Sequence, residues 1–141
     1  MFVAVNVRSP IVAARKVLVV DDSPLMLSAV VLGLAGNPGW EVSTAQSGRD
    51  GIALAARVQP DAILLDVIMP DLDGPETLRA LREQETTRAT PIIFLTADVQ
   101  QRERLIELGA VGVIEKPFQP DALAGQLSEV LGWSHERRDL Q

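Results

Sequence analysis

Short apolar runs alternate with longer amphipathic stretches along the chain. "KVLVV" (Lys16 to Val20), "DAILLD" (Asp61 to Asp66), "PIIFLTA" (Pro91 to Ala97) and "VGVIEKP" (Val111 to Pro117) are bounded runs rich in β-branched residues. That pattern suits strands buried on both faces. "WEVSTA" (Trp40 to Ala45) alternates apolar and polar positions, as a half-buried strand does. The stretches between carry helical signals. In "SPLMLSAVVLGLAG", Ser23 is a good N-cap and Pro24 suits the first helical position. Gly36 and "NPG" (Asn37 to Gly39) stop that helix. "SGRDGIALAARVQ" predicts a second helix, closed by Pro60. "DGPETLRALREQE" predicts a third, with Pro75 near its start and Leu78 and Leu81 on one face. "DVQQRERLIELGA" predicts an amphipathic fourth helix ending at Gly109. "QPDALAGQLSEVLGW" predicts a fifth, with Pro120 and Asp121 in its first turn.

Strand and helix thus alternate five times with short loops, which calls for a parallel sheet with right-handed crossovers. The expected class is α/β, a doubly wound five-stranded parallel sheet with five helices on its two faces. Residues 16–133 form one domain in this reading. Residues 1–15 are an N-terminal extension, and 134–141 a C-terminal tail. "FVAVNV" (Phe2 to Val7) alternates, and reads as an added edge strand or as a tail outside the fold.

Composition narrows the function classes. The chain has 141 residues, of which 47% are hydrophobic and 23% charged, enough for one real core. There is no Cys, which excludes disulfides and Cys-based zinc sites. The net charge of −6 argues against direct binding of nucleic acid. No apolar run approaches the roughly 18 residues of a membrane span, so no membrane insertion is expected. The N-terminus places apolar residues before basic ones, the reverse of a secretory signal. A cytoplasmic location is the expectation.

Candidate chemistry lies where the strands end. In an open α/β sheet, ligands bind beyond the carboxyl ends of the strands. Asp21 and Asp22 follow the first strand, Asp66 ends the third, Thr96 the fourth, and Lys116 the fifth. Adjacent carboxylates repel by about 1 kcal/mol at 4 Å in water, and by more near a protein surface. Taken singly, each Asp reads as a turn or cap residue. Taken together, three carboxylates against one ammonium leave a charge that one divalent cation would neutralise. All-oxygen donors point to Mg²⁺, with Mn²⁺ as a substitute.

With these pieces in place, "VLVVDDSP", "DAILLDVIMPDLDG", "PIIFLTA" and "GAVGVIEKPF" resemble the receiver domain of two-component response regulators, of the chemotaxis-regulator type. The resemblance covers about Lys16 to Trp133. It implies a flavodoxin-like strand order of 2-1-3-4-5. It implies Asp66 as phosphoacceptor, charged by a histidine kinase or a histidine phosphotransfer protein. Asp22 would be a direct Mg²⁺ ligand, Asp21 a water-mediated partner, and Ile68 a ligand through its backbone carbonyl. Thr96 and Lys116 would hold the phosphoryl oxygens, and the Lys116–Pro117 bond would be cis. Phosphorylation would switch the face made by helix 4, strand 5 and helix 5 toward an unknown downstream protein. Beyond catalysing its own phosphoryl transfer and slow dephosphorylation, the module would not be an enzyme.

Two departures stand out. Val113, three positions before Lys116, replaces the aromatic residue common in the family, so an aromatic swing coupled to Thr96 cannot operate. Ile68 stands where polar residues are frequent, flanking the site with Asp98. Other readings compete. A second reading, behind a signalling module that acts without an attached effector, is a receiver excised from a larger regulator or hybrid histidine kinase. A metal-dependent phosphohydrolase would want an acid/base Asp two residues past its nucleophile, where Ile68 stands. A flavodoxin-like cofactor binder would want a Gly- and hydroxyl-rich first loop, where "DDSP" stands. "DLDG" (Asp71 to Gly74) is not a calcium loop, because Arg82 falls at the twelfth position. It reads instead as a helix start, with Asp73 as N-cap and Glu76 completing a capping box. His135, the only histidine, sits in the polar tail with no partner for catalysis. Trp40 and Trp133 read as core or rim packing.

Overall fold

The computed structural model describes residues 15–133. The alternating edge-strand candidate at the N-terminus and His135 lie outside them. Five parallel strands are β1 (Arg15–Val20), β2 (Trp40–Ala45), β3 (Ala62–Asp66), β4 (Ile92–Thr96) and β5 (Gly112–Glu115). They lie in the order β2-β1-β3-β4-β5. Helices α1 (Pro24–Ala35), α2 (Gly48–Val58), α3 (Gly74–Glu83) and α4 (Arg102–Glu107) connect them, and α5 (Pro120–Leu131) follows β5. No helix among the described residues is long and apolar enough to cross a membrane.

Strand side chains alternate between two cores, as a two-residue period requires. Leu18, Val20, Ile63, Leu65, Ile92 and Phe94 pack with Ala55, Leu78, Leu81 and Leu105 beneath α2, α3 and α4. Val17, Val19, Leu64, Ile93 and Leu95 pack with Leu27, Val30, Leu34, Leu123 and Leu127 beneath α1 and α5. Both faces of β3 and β4 are buried along their whole length. Burying one Leu or Ile side chain contributes about 1.5–3 kcal/mol, so these apolar runs are held as central strands.

The predicted caps form. The Ser23 hydroxyl accepts from the Met26 N–H at 3.2 Å. At α3, the Asp73 carboxylate accepts from the Glu76 N–H at 2.8 Å, and the Glu76 carboxylate accepts from the Asp73 N–H at 2.9 Å. That is the reciprocal capping box read from "DLDG". The fourth helix differs from its sequence reading. It opens as a 3₁₀ turn over Val99–Gln101, and only Arg102–Glu107 are α-helical. The cause is Asp98, whose carboxylate accepts from the Gln100 N–H at 3.0 Å while its carbonyl accepts from Gln101. These tighter bonds take over the first turn. At the opposite end of the sheet, Trp40 and Trp133 meet edge to face at 5.5 Å, and the Arg15 guanidinium lies 4.6 Å above the Trp133 ring.

Candidate functional site

The carboxyl ends of β1, β3, β4 and β5 bring the sequence-predicted residues together. β1 continues directly into Asp21 and Asp22, and Ala45 at the end of β2 accepts the Asp21 N–H at 3.1 Å. Asp66 is the last residue of β3 and Thr96 the last of β4. Lys116 follows β5, and its N–H donates to the Thr96 carbonyl at 2.8 Å. The Lys116–Pro117 bond is cis, as expected.

Lys116 joins the acidic residues. Its Nζ donates to Asp66 Oδ1 at 2.9 Å and to Asp21 Oδ2 at 3.3 Å. The side chain of Asp21 is 1% exposed, and those of Asp66 and Lys116 only 10% and 18%, so solvent screens this cluster little. Asp22 is exposed. The Asp21, Asp22 and Asp66 carboxylates each offer an oxygen within 4.8 Å of the others. Burial pushes the Asp66 carboxyl above the usual carboxylate range. The negative charges of Asp21 and Asp22 push the same way, against Lys116. For Lys116, burial acts to lower the pKa. The hydrogen bond and charge of Asp66, with those of Asp21, outweigh it and hold the ammonium above its ordinary value.

The donor set fits a hard divalent cation. All three side chains offer oxygen, and the oxygens lie close enough to share one ion. The three are not equivalent. Both Asp21 oxygens are engaged, Oδ1 by the Ser23 N–H at 2.9 Å and Oδ2 by Lys116. Asp66 gives only Oδ1 to Lys116.

Four further features complete the surroundings. The buried Thr96 hydroxyl accepts from the Asp98 N–H at 3.0 Å, which still leaves its own hydrogen to donate. The Ile68 side chain, two residues past Asp66, is 77% exposed, while its neighbours Val67 and Met69 are buried. Val113 is buried and paired in register with Phe94, within the core beneath α4. Gly74 packs against the Asp66 carbonyl and the Val67 backbone, where a Cβ would not fit. Sequence reasoning did not find the Ser23 and Asp98 N–H bonds to the site. Both join residues two apart, the local pattern that Asp and Thr side chains commonly make, so the signal was present.

The family described as the response regulator receiver domain matches residues 17–128. The chain belongs to this family. PilH of Pseudomonas aeruginosa is 33% identical over 118 residues, covering 82% of this receiver and 97% of PilH. The transcriptional regulatory protein TrcR of Mycobacterium tuberculosis is 38% identical over 118 residues, and the receiver spans 45% of its length. Among solved structures, Vibrio cholerae chemotaxis protein CheY4 superposes with a TM-score of 0.77 at 38% identity, covering 84% of the receiver and 99% of CheY4. The receiver domain of the sensor histidine kinase PA1611 from Pseudomonas aeruginosa superposes with a TM-score of 0.74 at 33% identity, covering 85% and 99%. That structure has a magnesium ion coordinated in its active-site cleft. The fold and the family role, a receiver in two-component signalling, follow for this chain.

Proposed function

We propose that this receiver accepts a phosphoryl group on Asp66 in a Mg²⁺-dependent reaction, in the cytoplasm. The donor is a histidine kinase or a histidine phosphotransfer protein, and the product presents an altered face to a downstream protein. The observation that carries this reading is the buried pair of Asp66 and Lys116 beside Asp21 and Asp22.

Each residue has a part. An Asp66 carboxylate oxygen attacks phosphorus, a P–O bond forms, and the P–N bond to the donor histidine breaks, its electrons returning to the imidazole. Phosphoryl transfer needs mainly positioning and charge neutralisation. The Lys116 ammonium is already within hydrogen-bond reach of Asp66 and can follow a phosphoryl oxygen. The Thr96 hydroxyl has a hydrogen to donate to another. Asp22, Asp66 and the Ile68 carbonyl would hold the cation, with Asp21 acting through water, since both its oxygens are taken. The bound cation would supply positive charge to the transferring oxygens. Thr96 carries the change outward through its bond to Asp98, where the 3₁₀ turn before α4 begins. Val113, already packed in the core, offers no aromatic ring for a second route.

Phosphoramidate, a small donor with a P–N bond, tests the reading. Incubation with Mg²⁺ is expected to add one phosphoryl group to the intact mass, with no addition in EDTA or in Asp66→Asn. A protein that stays unmodified with both phosphoramidate and acetyl phosphate overturns the proposal.

A further inference from the structure

The two acidic segments of the site rest on one helix end. The first turn of α2 touches both. A Cβ on Gly51 would collide with Val20, the residue that leads into Asp21. A Cβ on Gly48 would collide with the Thr77 hydroxyl at the start of α3 and press tightly on Leu72, in the loop that follows Asp66. Between these contacts, Arg49 Nε donates to Asp71 Oδ2 at 2.7 Å. Asp71 holds a left-handed backbone, with φ of 71°, where a non-glycine residue is disfavoured. The loop therefore carries strain at the residue that Arg49 grips. The anchors elsewhere in this loop are the buried Val67 and Met69 side chains, the bonds from the Gly74 N–H to the Val67 carbonyl and from the Leu72 N–H to the Pro70 carbonyl, each 2.8 Å, and the capping box at Asp73. Ile68 itself is exposed and adds no packing.

We infer that the first turn of α2 is a positioning platform for the cation site, and that the Arg49–Asp71 pair sets the loop that carries Ile68. Arg49 is a positioning residue: its hydrogen bond is to Asp71, not to the metal-binding carboxylates. The inference rests on the cation reading of Asp21, Asp22 and Asp66. Both partners are well exposed, so the effect has the size of a surface pair, at most about five-fold in affinity.

Mn²⁺ binding to the full chain measures this directly, through the loss of the free-ion electron paramagnetic resonance signal, with no phosphoryl donor present. Arg49→Ala is expected to weaken Mn²⁺ binding roughly two- to five-fold, the range of an exposed pair, with the thermal midpoint of the metal-free protein nearly unchanged. Arg49→Lys should recover part of the loss. Asp71→Gly, which suits the left-handed backbone, should weaken binding as Arg49→Ala does, and the double variant should be no worse than either single one. Equal affinity in wild type and Arg49→Ala, or losses that add in the double variant, overturns the inference while leaving the cation site intact. Failure of the wild type to bind Mn²⁺ at all overturns the cation reading and this inference with it.

Discussion

Lys116 Nζ lies 2.9 Å from Asp66 Oδ1, in a pocket where both side chains are largely shielded from water. The same ammonium reaches Asp21 Oδ2 at 3.3 Å. One cation therefore compensates two buried carboxylates, with exposed Asp22 beside them. This explains how the adjacent acids after β1 are tolerated before any ion binds.

Removing that cation should expose the repulsion. Lys116→Met is expected to destabilise the metal-free protein by about 1–3 kcal/mol, less than a fully buried pair because Lys116 keeps some contact with water. Saturating Mg²⁺ should restore part of the loss. Urea unfolding in EDTA and in Mg²⁺ checks this, and equal losses in both would count against a cation site here.

The raised pKa of Asp66 has a definite pH consequence. A carboxyl group that holds its proton more tightly folded than unfolded costs stability once it ionises. In EDTA, wild type should therefore be less stable than Asp66→Asn at neutral pH. The gap should narrow as the pH falls through the raised Asp66 pKa toward the usual carboxylate range. Lys116 shifts the other way in effect. Its raised pKa contributes stability that is present below its ordinary pKa and is lost as the pH rises through the folded value. Urea midpoints across pH for wild type, Asp66→Asn and Lys116→Met separate the two, and a gap to Asp66→Asn that widens on acidification would refute the assignment.

Ile68 stands exposed two residues past Asp66. An apolar side chain there offers no hydrogen bond to a water that attacks the phosphoryl group. Ile68→Asn is expected to speed dephosphorylation several-fold, followed as decay of the phosphorylated mass. A rate equal to or slower than that of wild type would sink the idea.

The capping box at α3 begins one residue before Gly74, which packs against the backbone after Asp66. Asp73→Ala removes the acceptor for the Glu76 N–H and should cost about 1 kcal/mol in thermal or urea unfolding. An unchanged midpoint would show that the box contributes nothing beyond packing.

Most of this architecture was legible in the sequence because the strands announce their own ends. Val17 to Val20 and Ala62 to Leu65 are apolar without interruption and stop at Asp21 and Asp66, so strand, boundary and candidate ligand came from one signal. Thr96 and Lys116 followed from the same rule. The family resemblance supplied the strand order and the cis bond at Pro117. What was not legible depends on contacts between distant segments or on competing short-range bonds. The helical pattern from Asp98 onward was real, but the Asp98 carboxylate captures the Gln100 N–H and holds the start of that helix in a 3₁₀ turn. Arg49 and Asp71 are separated by 22 residues and both exposed, so no periodicity linked them. The same holds for Arg82, which donates to the carbonyls of Thr90 at 2.8 Å and Gly109 at 3.1 Å and so fastens the turn that follows α4. Trp40 and Trp133 each read as packing residues in the sequence. That they meet one another required the register of β2 beside β1 and the left-handed Gly132 that ends α5.

The most direct test of the central claim is to locate the phosphoryl group by chemistry specific to an acyl phosphate. The protein is charged with phosphoramidate and Mg²⁺, reduced with borohydride, digested and sequenced by mass spectrometry. Reduction converts a phosphorylated aspartate to homoserine, and the account predicts homoserine at position 66 alone. Homoserine at position 21 or 22, or a phosphoryl group on any residue other than Asp66, would contradict it.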